Sequence, residues 1–308
     1  MGVLGAARTR DWDNTFAEWA KPPGRTEQER CERAVTAIKK AIANSDALSR
    51  RTTRTFPQGS YQNRTNVRQD SDVDVCVLCS DTFHYTLPIG MTPQEVPIEP
   101  AQYSYSQYKN DVGAALVTHF GRENVKRGNK AFDIHENTYR IDADAVACFE
   151  YRLYFRSIIG PLIYHSGTAL IPDRESRWVT NFPEQQYENG VAKNNETGRR
   201  FKALVRIVKS LRNEMAENNI PAADPITSFL IESLAWNWPT ERFNAHSTWE
   251  GMVTAFIAWV WDGTKANGGY SSWREENGIK LLFGTHNDWS REQVHAFAIA
   301  AYNYIDNQ

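Results

Sequence analysis

Between Phe56 and Cys79 the chain reads FPQGSYQNRTNVRQDSDVDVCVLC, and this stretch limits the available folds more than any other. Val73, Val75 and Val77 alternate with other residues, the period of a strand with one buried face. Side chains two apart in a strand share a face, so Asp72 and Asp74 stand together opposite those valines. Two carboxylates side by side repel and cost stability unless they are protonated, solvated or joined by a cation. Hard divalent ions such as Mg2+ take oxygen ligands and suit such a pair when substrate phosphates complete the shell. Upstream, Gly59 and Ser60 can offer backbone N–H groups and a hydroxyl to a phosphate at a helix start. A Gly-Ser pair alone is commonly a turn, and an Asp-x-Asp alone is commonly a solvated surface feature. Joined by a short spacer and followed by an apolar strand, they read as a phosphate holder beside a metal holder.

The 308 residues carry a formal net charge of −2. That length allows one large or two ordinary domains. The balanced charge argues against a chain whose main task is coating nucleic acid. No apolar run is long enough to cross a bilayer, and the first residues, MGVLGAARTRDWDNTF, lack the apolar core of a signal peptide. The four cysteines are Cys31, Cys76, Cys79 and Cys148. Cys76 and Cys79 form a C-x-x-C whose members point to opposite faces of the expected strand. No second pair or His cluster completes a zinc site, so all four read as reduced, mostly buried thiols of a cytoplasmic protein.

Trp12, Phe16 and Trp19 recur at helical spacing, predicting a short helix over 10–20 that the PPG at 22–24 stops. Thr26-x-x-Glu29 reads as a capping box. In the helix that follows, Cys31, Ala34, Val35, Ile38, Ala41 and Ile42 share one face over about four or five turns, a spine for the sheet. Residues 80–106, rich in Pro and Tyr, predict a long loop. Tyr108, Val112, Ala115, Leu116, His119 and Phe120 fit a helix, with His119 a face residue rather than a ligand. Strands are expected near Val125 and over 131–134.

A second acidic strand is expected over 139–149, YRIDADAVACF, where Asp142 and Asp144 share a face. An Asp in an apolar strand is expensive without a partner. A metal site that works on a phosphate with two ions needs a further carboxylate for the second metal. Asp144 is the choice and Asp142 the fallback; the plainer alternative puts both on an exposed sheet edge. Tyr151 to Phe155 reads as another strand. Over 177–190, RWVTNFPEQQYENG suggests nothing regular; its aromatics and amides suit base recognition or an ordinary packed connection.

From Thr197 the pattern is helical. Phe201, Leu204, Val205, Val208, Leu211 and Met215 make an apolar face. Lys202, Arg206 and Lys209 line another as a cationic stripe, ordinarily a solvated face. Asp224 reads as an N-cap with Pro225 the first helical residue, which places Thr227 and Ser228 in a first turn that favours anions. The remainder reads as helix only: Ser247-x-x-Glu250 caps one helix, 263–288 is loop-like, and Ser290-x-x-Gln293 caps a last helix over 291–305.

The G-S and D-x-D arrangement resembles the nucleotidyltransferase superfamily of DNA polymerase beta, poly(A) polymerase and oligoadenylate synthase. The run D-A-V-A-C-F from Asp144 is similar to the oligoadenylate synthase run whose Asp completes the metal triad. With K-x-L-V-R-I-V-K (202–209) and D-P-I-T-S-F-L-I-E-S-L (224–234) in the same order, the chain resembles the CD-NTases, bacterial relatives of cyclic GMP-AMP synthase. The match spans roughly residues 25–240. N-F-P-x-x-x-Y-x-N-G (181–190) and K-N-x-x-T (193–197) look like the E clade (CdnE-like), several members of which use pyrimidine nucleotides.

That resemblance implies an α/β (α+β) fold: a polymerase-beta-like core with a mixed sheet and helical spine over 1–160, and a helical domain over 161–308 that closes the active-site cleft. Carried over by position, Asp72 and Asp74 bind both of two ions, Mg2+ or Mn2+, and Asp144 completes the metal site and helps deprotonate the acceptor hydroxyl. Ser60, beside Gly59, holds the donor triphosphate. Lys209 and Ser228 contact the same phosphates, and Lys202, on the same stripe, is counted with the nucleotide-binding residues. The implied activity joins ribonucleoside triphosphates, ATP and others with UTP or GTP among the candidates, into a cyclic di- or trinucleotide, with release of pyrophosphate, in bacterial antiphage (CBASS) signalling. The implied partners are nucleoside triphosphates and a separate effector protein that senses the product; no membrane, no obligate nucleic-acid activator and a monomeric state are expected. The alternatives are a linear oligonucleotide synthase, nucleotidyl transfer to a small-molecule or protein hydroxyl, and a nucleotide-sensing module without turnover.

Overall fold

The structure is a computed structural model, and it describes residues 10–67, 73–96, 98–135, 142–156 and 161–307. The chain divides into two compact units. One, built on the sheet, comprises Gly24–Gln62 and Arg68–Glu184; the other, helical, comprises Met1–Pro23, Asn63–Val67 and Gln185–Gln308.

The helical unit opens with α1 (Trp12–Trp19), whose Trp12 and Phe16 enter that unit's core. The sheet unit begins with α2 (Arg25–Ala43), and all six apolar positions expected on its inner face are buried. Its N-cap is Gly24 and makes no side-chain cap bond, so the expected Thr26–Glu29 capping box is not formed. Next come β1 (Thr53–Pro57), the single-turn helix α3 (Gly59–Asn63) and β2 (Val73–Thr86). The strand therefore runs well into the stretch expected to be loop. Its alternation breaks where the register shifts between Cys79 and Phe83, which hides the continuation from a period-two reading.

Helix α4 (Tyr105–Phe120) follows, then β3 (Val125–Arg127), β4 (Phe132–Ile134) and β5 (Ala143–Arg156). The two strands expected at 139–149 and 151–155 thus meet in one long strand that begins at Ala143; residues 139–141 of the first expectation lie outside the described residues. The sheet closes with β6 (Leu162–Leu170) and β7 (Val179–Asn181). Strand order is β1-β2-β5-β4-β3, with β6 on the far half of β5 and β7 on β6. β2 and β5 run parallel while the other pairs are antiparallel, so the sheet is mixed, as expected. The division expected at residue 160 falls between β5 and β6; because β6 and β7 pair onto the sheet, this unit extends to Glu184, while α1 belongs to the helical one.

Two tyrosines of α4 tie the central strands together. Tyr108 Oη donates to the Val77 carbonyl at 2.6 Å and Tyr105 Oη to the Ala147 carbonyl at 2.9 Å. The four cysteines are free and buried, as expected. Burial pushes the Cys31 thiol up to about 11 and raises Cys76 well above its ordinary value, so neither is a ready nucleophile.

α5 (Pro183–Glu196), in the helical unit from Gln185 on, occupies a stretch with no regular structure expected, and Gly190 is the one buried residue recorded along it. A helix with so little buried apolar surface has no stripe to read. α6 (Arg200–Glu217) carries the expected apolar face. α7 (Ser228–Asn237) starts later than expected: Thr227, not Asp224, is its N-cap, accepting from the Leu230 amide. After α8 (Thr240–Phe243), α9 (Trp249–Gly263) is capped by Thr248 rather than Ser247. Ser290 and Gln293 form the expected capping box on α10 (Arg291–Asp306). No helix among the described residues is long and apolar enough to cross a membrane.

Replacing Tyr108 by Phe removes one buried hydrogen bond to β2 at nearly constant volume. It is expected to cost about 1 kcal/mol, read as a lower urea midpoint with the far-UV spectrum unchanged.

Candidate active site

Parallel register sets Asp74 of β2 directly beside Asp144 of β5. Neighbouring residues on paired strands project to the same face, at a strand spacing of about 4.8 Å. On the other face, Val73, Val75, Ala143 and Ala145 are buried, so burial of that face holds both aspartates opposite it. The Val73 amide donates to the Asp142 carbonyl at 3.0 Å, which fixes the register where the acidic row begins. Asp142 itself precedes β5, and its contribution to that lock is a main-chain one.

Gly59 opens α3 with φ +69, a left-handed conformation that glycine adopts without steric cost. A Cβ there would lie 2.4 Å from Asp74 Oδ2. The turn and the carboxylate therefore meet only because residue 59 has no side chain. The Gln58 amide also donates to the Asp74 carbonyl at 2.8 Å. Ser60, the second residue of α3, is half-buried. Asp72 lies outside the described residues. Among the described residues no group of three His, Cys, Asp or Glu side chains is placed to hold a metal ion. Two carboxylates abreast beside a side-chain-free turn are nonetheless an all-oxygen donor set, which fits Mg2+ or Mn2+. Sequence reasoning passed over Asp133, which pairs with Asp144 from β4 and extends the acidic row by one strand; its signal was an Asp between buried Phe132 and Ile134.

The other expected residues lie in the helical unit. Ser228 is exposed at the first position of α7, and Arg212 Nη2 of α6 donates to its hydroxyl at 3.2 Å. Lys202 is half-buried, with its ammonium 5.7 Å from the centre of the Tyr187 ring, and burial lowers its pKa. The solvated cationic face expected for this stripe is not found, because Arg206 and Lys209 are buried. Lys209 Nζ donates to Glu232 Oε1 at 2.5 Å and to the carbonyl and hydroxyl of Thr65 at 3.2 Å each. An ammonium has three donors, and all three are directed to protein acceptors.

Glu232 in turn accepts from Thr65 Oγ1 at 2.7 Å, Gln186 Nε2 at 2.9 Å and Asn63 Nδ2 at 3.2 Å. Burial raises the pKa of this carboxyl, but Lys209, Thr65 and Asn63 outweigh it and hold the group ionised. Its neighbour Glu276 accepts from Gln186 Nε2 at 3.2 Å, and a Cβ on Gly190 would lie 2.4 Å from its Oε1. Burial, followed by the Glu232 charge, pushes Glu276 well above the ordinary carboxylate range. Two like charges in a dry site oppose each other's ionisation, and here the opposition falls on Glu276 while Lys209 favours the charge on Glu232.

Residues 188–306 match the cGAS/DncV-like nucleotidyltransferase C-terminal helical domain. The chain is 43% identical over 298 residues to the cyclic dipyrimidine nucleotide synthase CdnE of Legionella pneumophila, covering 96% of this chain and 98% of that one. It is 36% identical over 294 residues to the protein of the same name from Cecembia lonarensis, covering 96% and 98%. The chain belongs to the CD-NTase family. Its fold is similar to that of Rhodothermus marinus CdnE c-UMP-AMP synthase, with TM-score 0.81, 28% identity and 95% of each chain covered. As a CD-NTase it is a nucleotidyltransferase, and the mixed sheet with a helical C-terminal part is the architecture of those relatives.

Glu232 and Glu276 were missed by sequence reasoning. One stands mid-helix and the other in a loop, and only the buried network gives either a role. Their titration is testable. The unfolded chain loses the Glu276 proton near pH ~4.3, whereas the folded chain keeps it to higher pH. Above that pH the folded state binds more protons, so this group lowers stability as pH rises. Glu276→Gln is expected to raise Tm at pH 8 relative to the parent chain, with the gain shrinking toward pH 4; thermal melts across that range are the measurement.

Proposed function

We propose that this CD-NTase joins two nucleoside triphosphates, pyrimidine nucleotides foremost, into a cyclic dinucleotide with release of pyrophosphate. The observation that carries the reading is the likeness to cyclic dipyrimidine synthases, at 43% identity over nearly the whole of both chains. The register of Asp74 with Asp144 supports it from the chemistry, since two carboxylates abreast are what a metal-dependent phosphoryl site requires. Asp72, Asp74 and Asp144 would hold two divalent ions, Mg2+ or Mn2+, which supply Lewis acidity at the attacking and leaving oxygens.

The chain's own groups do the positioning. Asp144 takes the proton of the attacking ribose hydroxyl. Ser60 and the backbone that begins at Gly59 orient the donor phosphates. Ser228, with Arg212 at its hydroxyl, adds donors at the N-terminus of α7, where free amides favour anions. Lys202 supplies a positive charge softened by partial burial. The first bond joins a hydroxyl of one nucleotide to the α-phosphorus of the other and expels pyrophosphate. The second repeats this within the linear product and closes the ring. We further infer that the enzyme is a cytoplasmic monomer whose product is read by a separate effector in antiphage signalling.

Incubation with the four ribonucleoside triphosphates and Mg2+ or Mn2+, followed by phosphatase and mass analysis, tests this. A phosphatase-resistant cyclic dinucleotide containing U or C is expected. A ladder of phosphatase-sensitive oligomers overturns the cyclic assignment in favour of linear synthesis. In the same assay Asp74→Asn is expected to lose at least about 1000-fold in turnover, because a neutral amide holds the ions poorly. The variant should keep its fold by circular dichroism.

A further inference from the structure

The segment Asn63–Val67 begins at the last residue of α3, the helix that carries Ser60. Although the first four residues of α3 belong to the sheet unit, this segment is part of the helical one. Its backbone and side chains are gripped by groups that the proposed chemistry does not use. Arg206 of α6 is buried and donates through Nη1 to the Arg64 carbonyl at 2.8 Å and through Nε to the Ala20 carbonyl at 2.9 Å. Arg64 closes α3 in a left-handed conformation, φ 57, where Gly or Asn is the usual choice. A conformation of that kind persists only where its surroundings fix it. One residue on, Thr65 is buried, its carbonyl and hydroxyl are held by Lys209, and its hydroxyl donates to Glu232. Asn63, also buried, donates to the second oxygen of Glu232.

We propose that Arg206, Lys209 and Glu232 are positioning residues: they fix Asn63, Arg64 and Thr65, so that the chain leaves α3, and with it Ser60, in one geometry. The assignment rests on the reading of Ser60 and Asp74 as the reacting site. It gives Lys209 a different task from the phosphate contact that the family resemblance implies. A lysine whose three donors serve Thr65 and Glu232 holds the loop from within. The ion pair suits this task. Lys209 and Glu232 are both almost fully buried, and a buried pair that also satisfies a threonine and an asparagine permits few other arrangements of the segment. Arg206 needs its fork to hold two carbonyls from separate parts of the chain, a geometry that a lysine cannot copy.

The decisive variants are Thr65→Val, which keeps the shape and deletes the hydroxyl, and Thr65→Ser, which restores it. Thr65→Val is expected to lower kcat about tenfold while KM for nucleotide moves less than about twofold, because the residue acts through the loop rather than on substrate. Thr65→Ser should recover most of that loss. Arg206→Lys should behave like Thr65→Val. In both impaired variants, amide hydrogen exchange should accelerate in peptides covering 61–67 and stay unchanged in α9 and α10. Unchanged kcat with unchanged exchange in Thr65→Val overturns the proposal. So does a rise in KM at constant kcat, which would mean substrate contact, or a loss of kcat that follows a general loss of protection. Asp74→Asn, run alongside, separates the two levels. If it turns over normally, the reading of the reacting site has failed. If it is dead while Thr65→Val is fully active, only the positioning role has failed.

Discussion

Strands β2 and β5 lie side by side in parallel, and the placement of the acidic groups follows from that pairing. A slip of one residue would send Asp144 to the opposite face from Asp74. Several independent features forbid the slip. On the buried face, Val73, Val75 and Val77 sit beside Ala143, Ala145 and Ala147, a large-beside-small match that a shift would bury as charge. Val73 donates to the Asp142 carbonyl at the head of the pair, and Tyr105 and Tyr108 bind a carbonyl on each strand further along. The carboxylates are adjacent because the apolar residues between them have nowhere else to go.

In the helical unit the organising contact is polar. Lys209 and Glu232 are desolvated together, and such a pair rarely adds net stability over an apolar pair of the same shape. Its contribution is directional. Each donor must find its acceptor, so α6, α7 and the segment Asn63–Val67 have to meet in one arrangement. Glu276 shows the limit of the device. A second buried carboxyl beside Glu232 cannot also ionise cheaply, and it remains protonated to a higher pH than usual. Arg206 meets the opposite penalty: burial, with Arg64 nearby, brings its pKa down to about 10, still high enough for it to keep its charge.

What the sequence disclosed followed the reach of its local signals. Helices with an apolar stripe, α2, α4, α6 and α10, stand where their periodicity puts them. α5 escaped because it buries almost nothing apolar. Caps at Ser290 and Thr227 look alike in the sequence, yet only the first was placed correctly, since a Pro at 225 offers an equally good local start for α7 that the chain does not use. The acidic row was legible because strand alternation is local, whereas Asp133 joins it only through a pairing between strands. The stripe Lys202, Arg206, Lys209 looked solvated because its partners are remote in sequence, Ala20, Arg64 and Thr65 far upstream and Glu232 on the next helix. Charge at helical spacing carries no record of whether a carboxylate will come to meet it.

The five residues of α3 show how these constraints combine at one place. A helix this short has no stability of its own, because nucleation is not repaid within a single turn. Its ends must therefore be fixed by other parts of the chain. At its start Gly59 is left-handed and has room only because it lacks a Cβ, with the Asp74 carboxylate where that atom would be. At its finish Arg64 is left-handed against its own preference, with its carbonyl bound by Arg206 and the next residue bound by Lys209. Ser60 thus sits in a turn whose entry is set by an acidic side chain of the strand it precedes and whose exit is set by buried cations of α6. The turn that carries Ser60 is therefore ordered by the rest of the fold, since a single helical turn could not order itself.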